Sequence, residues 1–93
     1  MKAAIVPLTS KDGLPELADP LYKDLQKDYK VQWDTSGSIG KRYRRQDEIG
    51  TPFCITIDND SLNDSAATIR NRDTMQQERI PIDNIKAFLR DSL

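Results

Sequence analysis

The chain contains no histidine, and that absence removes much of enzymology. It excludes Ser-His-Asp and Cys-His nucleophile activation, an imidazole acid or base near neutrality, and a His-ligated zinc. Cysteine occurs once, at Cys54, so no internal disulfide can form. Its apolar neighbours Phe53 and Ile55 point to a buried thiol in a reducing compartment, cytoplasmic or organelle matrix. No stretch approaches the roughly 18 consecutive apolar residues that a membrane helix needs. The opening Met1-Lys2-Ala3-Ala4-Ile5-Val6-Pro7-Leu8 is too short and too soon interrupted for a secretory signal.

Other motifs are missing too. Gly37-Ser38-Ile39-Gly40 lacks the spacing of a Walker loop and of a dinucleotide fingerprint. Asp58-Asn59-Asp60 with Asp64 lacks the glycine and the terminal glutamate of a calcium loop, so no metal is expected. A net charge of -1 exerts no global pull on nucleic acid; any polyanion site must be local. There is no repeat, low-complexity tract or linker.

What is present is the composition of a folded, water-soluble module: 93 residues, 37% apolar and 31% charged. That length fits one domain, 1–93, burying roughly two thirds of its unfolded surface. The run from Lys2 to Leu8 predicts a buried central strand, closed by the turn Thr9-Ser10-Lys11-Asp12-Gly13. Leu14, Leu17, Ala18, Leu21, Tyr22, Leu25 and Tyr29 recur at helical spacing, with Pro20 expected to kink the helix or restart it. Val31 to Asp34 predicts a second strand, and Thr35 to Ser38 a turn that caps a helix from Ile39 to Ile49. Pro52 to Ile57 is a third strand, 58–64 a polar loop, and Ala67–Asn71 and Met75–Ile80 a hairpin turning at Arg72-Asp73-Thr74. Pro81 opens a last helix carrying Ile82, Ile85, Phe88 and Leu89 on one face. The order β-α-β-α-β-β-β-α predicts an α/β fold, a mixed five-stranded sheet with one antiparallel strand and helices on its faces.

Lys41, Arg42, Arg44 and Arg45 crowd the start of the second helix, with Asp47 and Glu48 towards its end. This order opposes the helix dipole by about 0.3–1 kcal/mol per charge. One reading is a solvated face with Arg44 paired to Asp47 or Glu48; the other is an anion site built of arginine forks. Arg70-Asn71-Arg72-Asp73 at the hairpin has the same two readings, a turn that blocks edge pairing or a reader of splayed RNA bases. Periodicity assigns Tyr22, Tyr29 and Phe88 to the core, with Trp33 beside them. Tyr43 fits core better than a stacking platform, and Phe53 fits either.

The segment Asp34-Thr35-Ser36-Gly37-Ser38-Ile39-Gly40-Lys41-Arg42-Tyr43-Arg44-Arg45-Gln46-Asp47-Glu48-Ile49-Gly50-Thr51-Pro52-Phe53-Cys54 resembles the signature of the glycyl-tRNA synthetase anticodon-binding domain. Ile69-Arg70-Asn71-Arg72-Asp73-Thr74-Met75 resembles its second hallmark, and Ala4 to Leu8 and the Lys11-Asp12-Gly13 turn also fit. The resemblance implies a three-layer α/β/α domain with strand order 2-1-3-4-5 and strand 4 antiparallel. It implies a grip on the tRNA-glycine anticodon, chiefly two shared C bases. ATP, Mg2+ and glycine would belong to a separate catalytic domain, none of whose motifs is present, so the chain resembles a cloned fragment, monomeric by itself, of a homodimeric parent. Carried over by position, Arg42, Arg44 and Arg45 approach the RNA from the second helix, Thr51 and Phe53 line a base pocket, and Arg70, Arg72 and Asp73 contact base edges. An accessory subunit of a mitochondrial DNA polymerase shares this resemblance, and a protein-interaction module whose basic helix docks an acidic partner is the reading from another class.

Overall fold

Alternation within the two most apolar strands decides the layering. In the computed structural model, which describes residues 3–8, 13–35 and 37–92, β1 (Ala3–Pro7) and β3 (Phe53–Ile57) are buried along their whole length. They pair in parallel with Ala3 opposite Phe53 and Pro7 opposite Ile57. Ala3, Ile5, Phe53, Ile55 and Ile57 face one core, while Ala4, Val6 and Cys54 face another. A one-residue slip would exchange the two sets, so the register is strongly specified.

β2 (Val31–Trp33) adds in parallel to the outer side of β1. β4 (Ala66–Asn71) pairs antiparallel with β3, and β5 (Gln77–Pro81) antiparallel with β4. The sheet order is β2-β1-β3-β4-β5 with only β4 reversed, as the resemblance implied. α1 (Leu14–Gln26) buries Leu14, Ala18, Leu21 and Leu25, and α4 (Ile82–Ser92) buries Ile85 and Leu89, against the larger core. Each such large aliphatic side chain contributes about 1.5–3 kcal/mol. Tyr22 meets Trp33 edge-on at 5.3 Å between centroids, and Phe53 meets Phe88 at 5.6 Å.

One choice is resolved and two expectations change. Of the kink or restart expected at Pro20, the restart is not what forms: α1 is one helix through it, with Pro20 exposed and Leu21 and Leu25 buried in the turns that follow. The loop after β3 contains a single helical turn, α3 (Ser61–Asp64), where Asp58 Oδ1 accepts from Ser61 N and Oγ at 3.1 Å each. Four residues carry no periodicity for a sequence reading to catch. β5 begins at Gln77, not Met75, because the turn spans 72–76. Asn71 Oδ1 accepts from Asp73 N at 2.8 Å and Thr74 N at 3.2 Å, and Met75 N donates to Asn71 O at 2.9 Å. The expectations for Lys2 and for 9–12 lie outside the described residues.

The second face is covered by α2 (Ile39–Ile49), and its attachment is mostly polar. Only Ile39 and Tyr43 supply apolar contact to Ala4, Val6 and Cys54. Arg42 is buried, its Nη1 donating to Pro7 O at 2.6 Å, Nη2 to Leu8 O at 3.2 Å and Nε to Gly37 O at 3.0 Å. Gln46, fully buried, donates to Asp34 Oδ2 at 2.9 Å and to Gln32 Oε1 at 3.2 Å, and accepts from Thr51 Oγ1 at 2.8 Å. Ser38 Oγ accepts from Lys41 N at 3.3 Å at one end of α2. Gly50, at φ 91°, closes the other, its N donating to Gln46 O at 3.0 Å.

Replacing Arg42 by Met strands three carbonyls at once, so Arg42→Met is expected to lower urea-unfolding stability by about 2–4 kcal/mol, while Arg44→Met stays within about 0.5 kcal/mol. Burial pushes the Cys54 thiol up to about 11 from 9.0, against a smaller lowering by Arg70 and with smaller rises from Asp47 and Asp34. Between those values the unfolded thiol ionises and the folded one does not, so stability falls as pH rises from about 9 to about 11. Cys54→Ala should flatten that part of the pH profile relative to wild type.

Candidate nucleic-acid interface

α2 crosses the sheet antiparallel to β1 and β3, so its two ends lie over opposite ends of the sheet. The rise from Arg42 to Ile49 is about 10 Å at 1.5 Å per residue. The eight residues singled out from the sequence therefore do not form one cluster. Arg42 and Arg45 sit where β1 and β2 finish; the Thr51 side chain, joined through Gln46 to Asp34, reaches between the two ends; Phe53, Arg70, Arg72 and Asp73 gather at the other. There the pairing of Phe53 with Asn71 sets the start of β3 beside the end of β4, and Arg72 N donates to Pro52 O at 2.9 Å.

Their states differ as well. Arg42 is committed to backbone carbonyls, so it is a strut of the fold rather than an anion fork. Arg45 pairs with the buried carboxylate of Asp34. The disfavoured charge order of α2 thus has a physical reason: two of its four cations bind oxygens supplied by Pro7 and Leu8 at the end of β1 and by Asp34 and Gly37 in the loop before the helix. The pairing of Arg44 with Asp47 is not formed; Arg44 is exposed and Asp47 turns to Arg70. Thr51 is fully buried and bonded to Gln46, and Phe53 is 6% exposed.

Arg70 is held on three sides. Its guanidinium donates to Asp47 Oδ1 at 3.0 Å and Oδ2 at 3.3 Å, lies 4.9 Å from the Tyr43 ring centroid, and reaches Met75 Sδ at 2.7 Å. The Asp47 hydrogen bond raises its pKa further. Tyr43 is packed as expected, its hydroxyl bonded to Thr56 Oγ1. Arg72 differs: its side chain is 40% exposed, only 3.9 Å links it to Asp73, and its Nη1 lies 3.8 Å from where a Cβ on Gly50 would stand.

On the opposite face, between the hairpin and α4, lies a cleft of about 450 Å³. Phe53, Ile69 and Phe88 supply its apolar surface, and Asn71, Thr74, Gln76, Gln77 and Glu78 its polar groups. A volume of this size suits a small flat ligand. Glu78 is the single charged side chain lining it, which disfavours phosphate and favours hydrogen-bond donors. Asn71 belongs to the hairpin cluster already singled out from the sequence, whereas 76–78 were not, although their signal was present: Gln76-Gln77-Glu78 interrupts strand alternation with three polar residues.

A family model described as an anticodon binding domain matches residues 2–92. The glycine–tRNA ligase of Corynebacterium glutamicum is 54% identical over 93 residues, covering 100% of this chain and 20% of that protein. That of Clostridium perfringens is 55% identical over 92 residues, 99% and 19% respectively, and that of Bacillus cereus 60% over 88 residues, 95% and 19%. The chain thus spans about a fifth of the length of these relatives. The RNA binding domain of threonyl-tRNA synthetase from Cryptosporidium parvum Iowa II superimposes with a TM-score of 0.84 at 22% identity, over 97% of this chain and 23% of that one. Prolyl-tRNA synthetase from Cryptosporidium parvum does so with 0.85 at 17% identity, over 98% and 21%. At such identities these two structures speak to the fold alone.

Because Asp47 grips Arg70 with two oxygens in a part-buried place, the double-mutant cycle Asp47→Ala with Arg70→Met is expected to show a coupling of about 1–2 kcal/mol in urea unfolding. A coupling near zero would make the pair incidental.

Proposed function

The chain belongs to the anticodon-binding domain family, and from that premise we propose that it reads the anticodon loop of tRNA-glycine on behalf of a glycine–tRNA ligase. The observation that carries this reading is the hairpin cleft, where side-chain amides and one carboxylate stand over aromatic rings. Single-stranded RNA is read by groups of this kind, with ring surfaces for the base face and amides and carboxylates for its edge. The name shared by the relatives, at 54–60% identity, supports the choice of glycine.

In this proposal the Glu78 carboxylate accepts from the exocyclic amino group of a cytosine, where uridine would present a carbonyl oxygen instead. Arg72, beside Gly50 on the α2 side of the hairpin, and the exposed Arg44 neutralise nearby phosphates, while Arg42 and Thr51 act from within the fold by holding α2 in place. ATP, Mg2+, glycine and the chemistry of ligation are assigned to the four fifths of the relatives that this chain does not span. We assign no cofactor to the domain itself. The same proposal has the isolated domain a monomer, its parent a homodimer, and their place the cytoplasm or the mitochondrion.

Fluorescence anisotropy with an anticodon stem-loop of tRNA-glycine, beside a loop with both shared C bases changed to U, tests it. The native loop should bind more tightly, Glu78→Gln should narrow the preference about tenfold, and Arg72→Ala should reduce the salt slope by about 1. Equal binding of both loops by the wild type would sink the reading.

A further inference from the structure

Met75 is out of place by two independent criteria. Its φ of 61° lies in the left-handed region that suits glycine or asparagine, and its side chain is 59% exposed. Neither backbone preference nor burial selects methionine there, and strain held at an exposed apolar residue is a pointer to function. Its orientation is set by the contact of Sδ with Arg70, itself fixed by Asp47, so the side chain stands on the α2 side of the sheet, away from the cleft. A second exposed apolar residue, Ile49 at 51%, ends α2 on the same side. The next residue is the bare Gly50, with the Arg72 guanidinium beside it.

We propose that Met75, Ile49 and Arg72 form a shelf on which one unstacked RNA base lies, behind the hairpin from the cleft that reads base edges. The proposal rests on the anticodon reading and adds a second contact to it. The occupant follows from the chemistry: the shelf is apolar and without walls, which suits the flat face of a base, and the Arg72 cation beside it complements the phosphate that travels with that base. Such a surface contributes affinity without choosing among bases.

Asparagine accepts the left-handed backbone and removes the apolar surface, so Met75→Asn separates strain from contact, and Met75→Leu restores apolar surface. In stem-loop titrations Met75→Asn is expected to bind both the native and the C-to-U loops about tenfold more weakly, leaving their ratio unchanged. It should melt no lower than wild type, and Met75→Leu should bind like wild type. Met75→Asn binding within twofold of wild type, or Met75→Leu losing as much as Met75→Asn, would overturn the shelf and leave the anticodon reading standing. Wild-type protein that binds neither loop would overturn both.

Discussion

The side chain of Gln46 is the constraint on which the remainder of the interface rests. It is fully buried between α2 and the sheet and bonds Asp34, Gln32 and Thr51 at once. A helix attached through Ile39 and Tyr43 alone would slide or roll, since two half-buried side chains define neither its height nor its rotation. Hydrogen bonds are directional where apolar contact is not, and a buried network whose members are all satisfied fixes a single arrangement. Among the described residues, no buried side-chain polar atom lacks a partner. Rotation of α2 would therefore break several such bonds together.

That rigidity reaches the hairpin end of the domain through two short links. Gln46 accepts from the backbone of Gly50 and Thr51, which sets where Pro52 meets Arg72. One residue on, Asp47 holds Arg70, and Arg70 holds Met75. The hairpin turn is thus tied to α2 from outside the sheet as well as to β3 within it. Elsewhere the same device recurs in a purely structural form. Arg79 joins Asp64 at 2.8 Å and Asp58 at 3.3 Å, fastening α3 to β5, and its hydrogen bond keeps the Asp64 carboxyl below the usual range.

How much of this was legible in the sequence depended on the kind of force involved. Ala3 to Pro7 and Phe53 to Ile57 were readable because burial on both faces leaves a continuous apolar run, and the Leu14, Ala18, Leu21, Leu25 stripe because burial on one face imposes a period; both signals survive in one dimension. The single turn at Ser61 was not, because the local hydrogen bonds of Asp58 to Ser61 that accompany it need no period. The basic run at 41–45 was recognised as unusual, yet its division into Arg42 within and Arg44 without could not be read. Spacing along a helix gives direction, but the carbonyls of Pro7 and Leu8 that receive Arg42 come from over 30 positions away in sequence. Of the candidate site, Arg72, Asn71 and Phe53 were visible through the motif, whereas Glu78 joined it only when the β4–β5 register set it beside Phe88.

On the proposed function, charge favours a reader over a clamp. Phosphate neutralisation supplies affinity that is blind to sequence and grows with each cation committed. Here the net charge is -1, and of the cations grouped around α2 and the hairpin, Arg42, Arg45 and Arg70 are bound to protein oxygens. Few remain for the backbone of a nucleic acid. A domain with so little indiscriminate attraction gains little from the wrong loop, so on the proposed function its base-edge contacts decide the outcome instead of adding to a large constant. On that proposal, overall affinity is left to contacts outside the hairpin, which add to both loops alike and do not erode the choice made there.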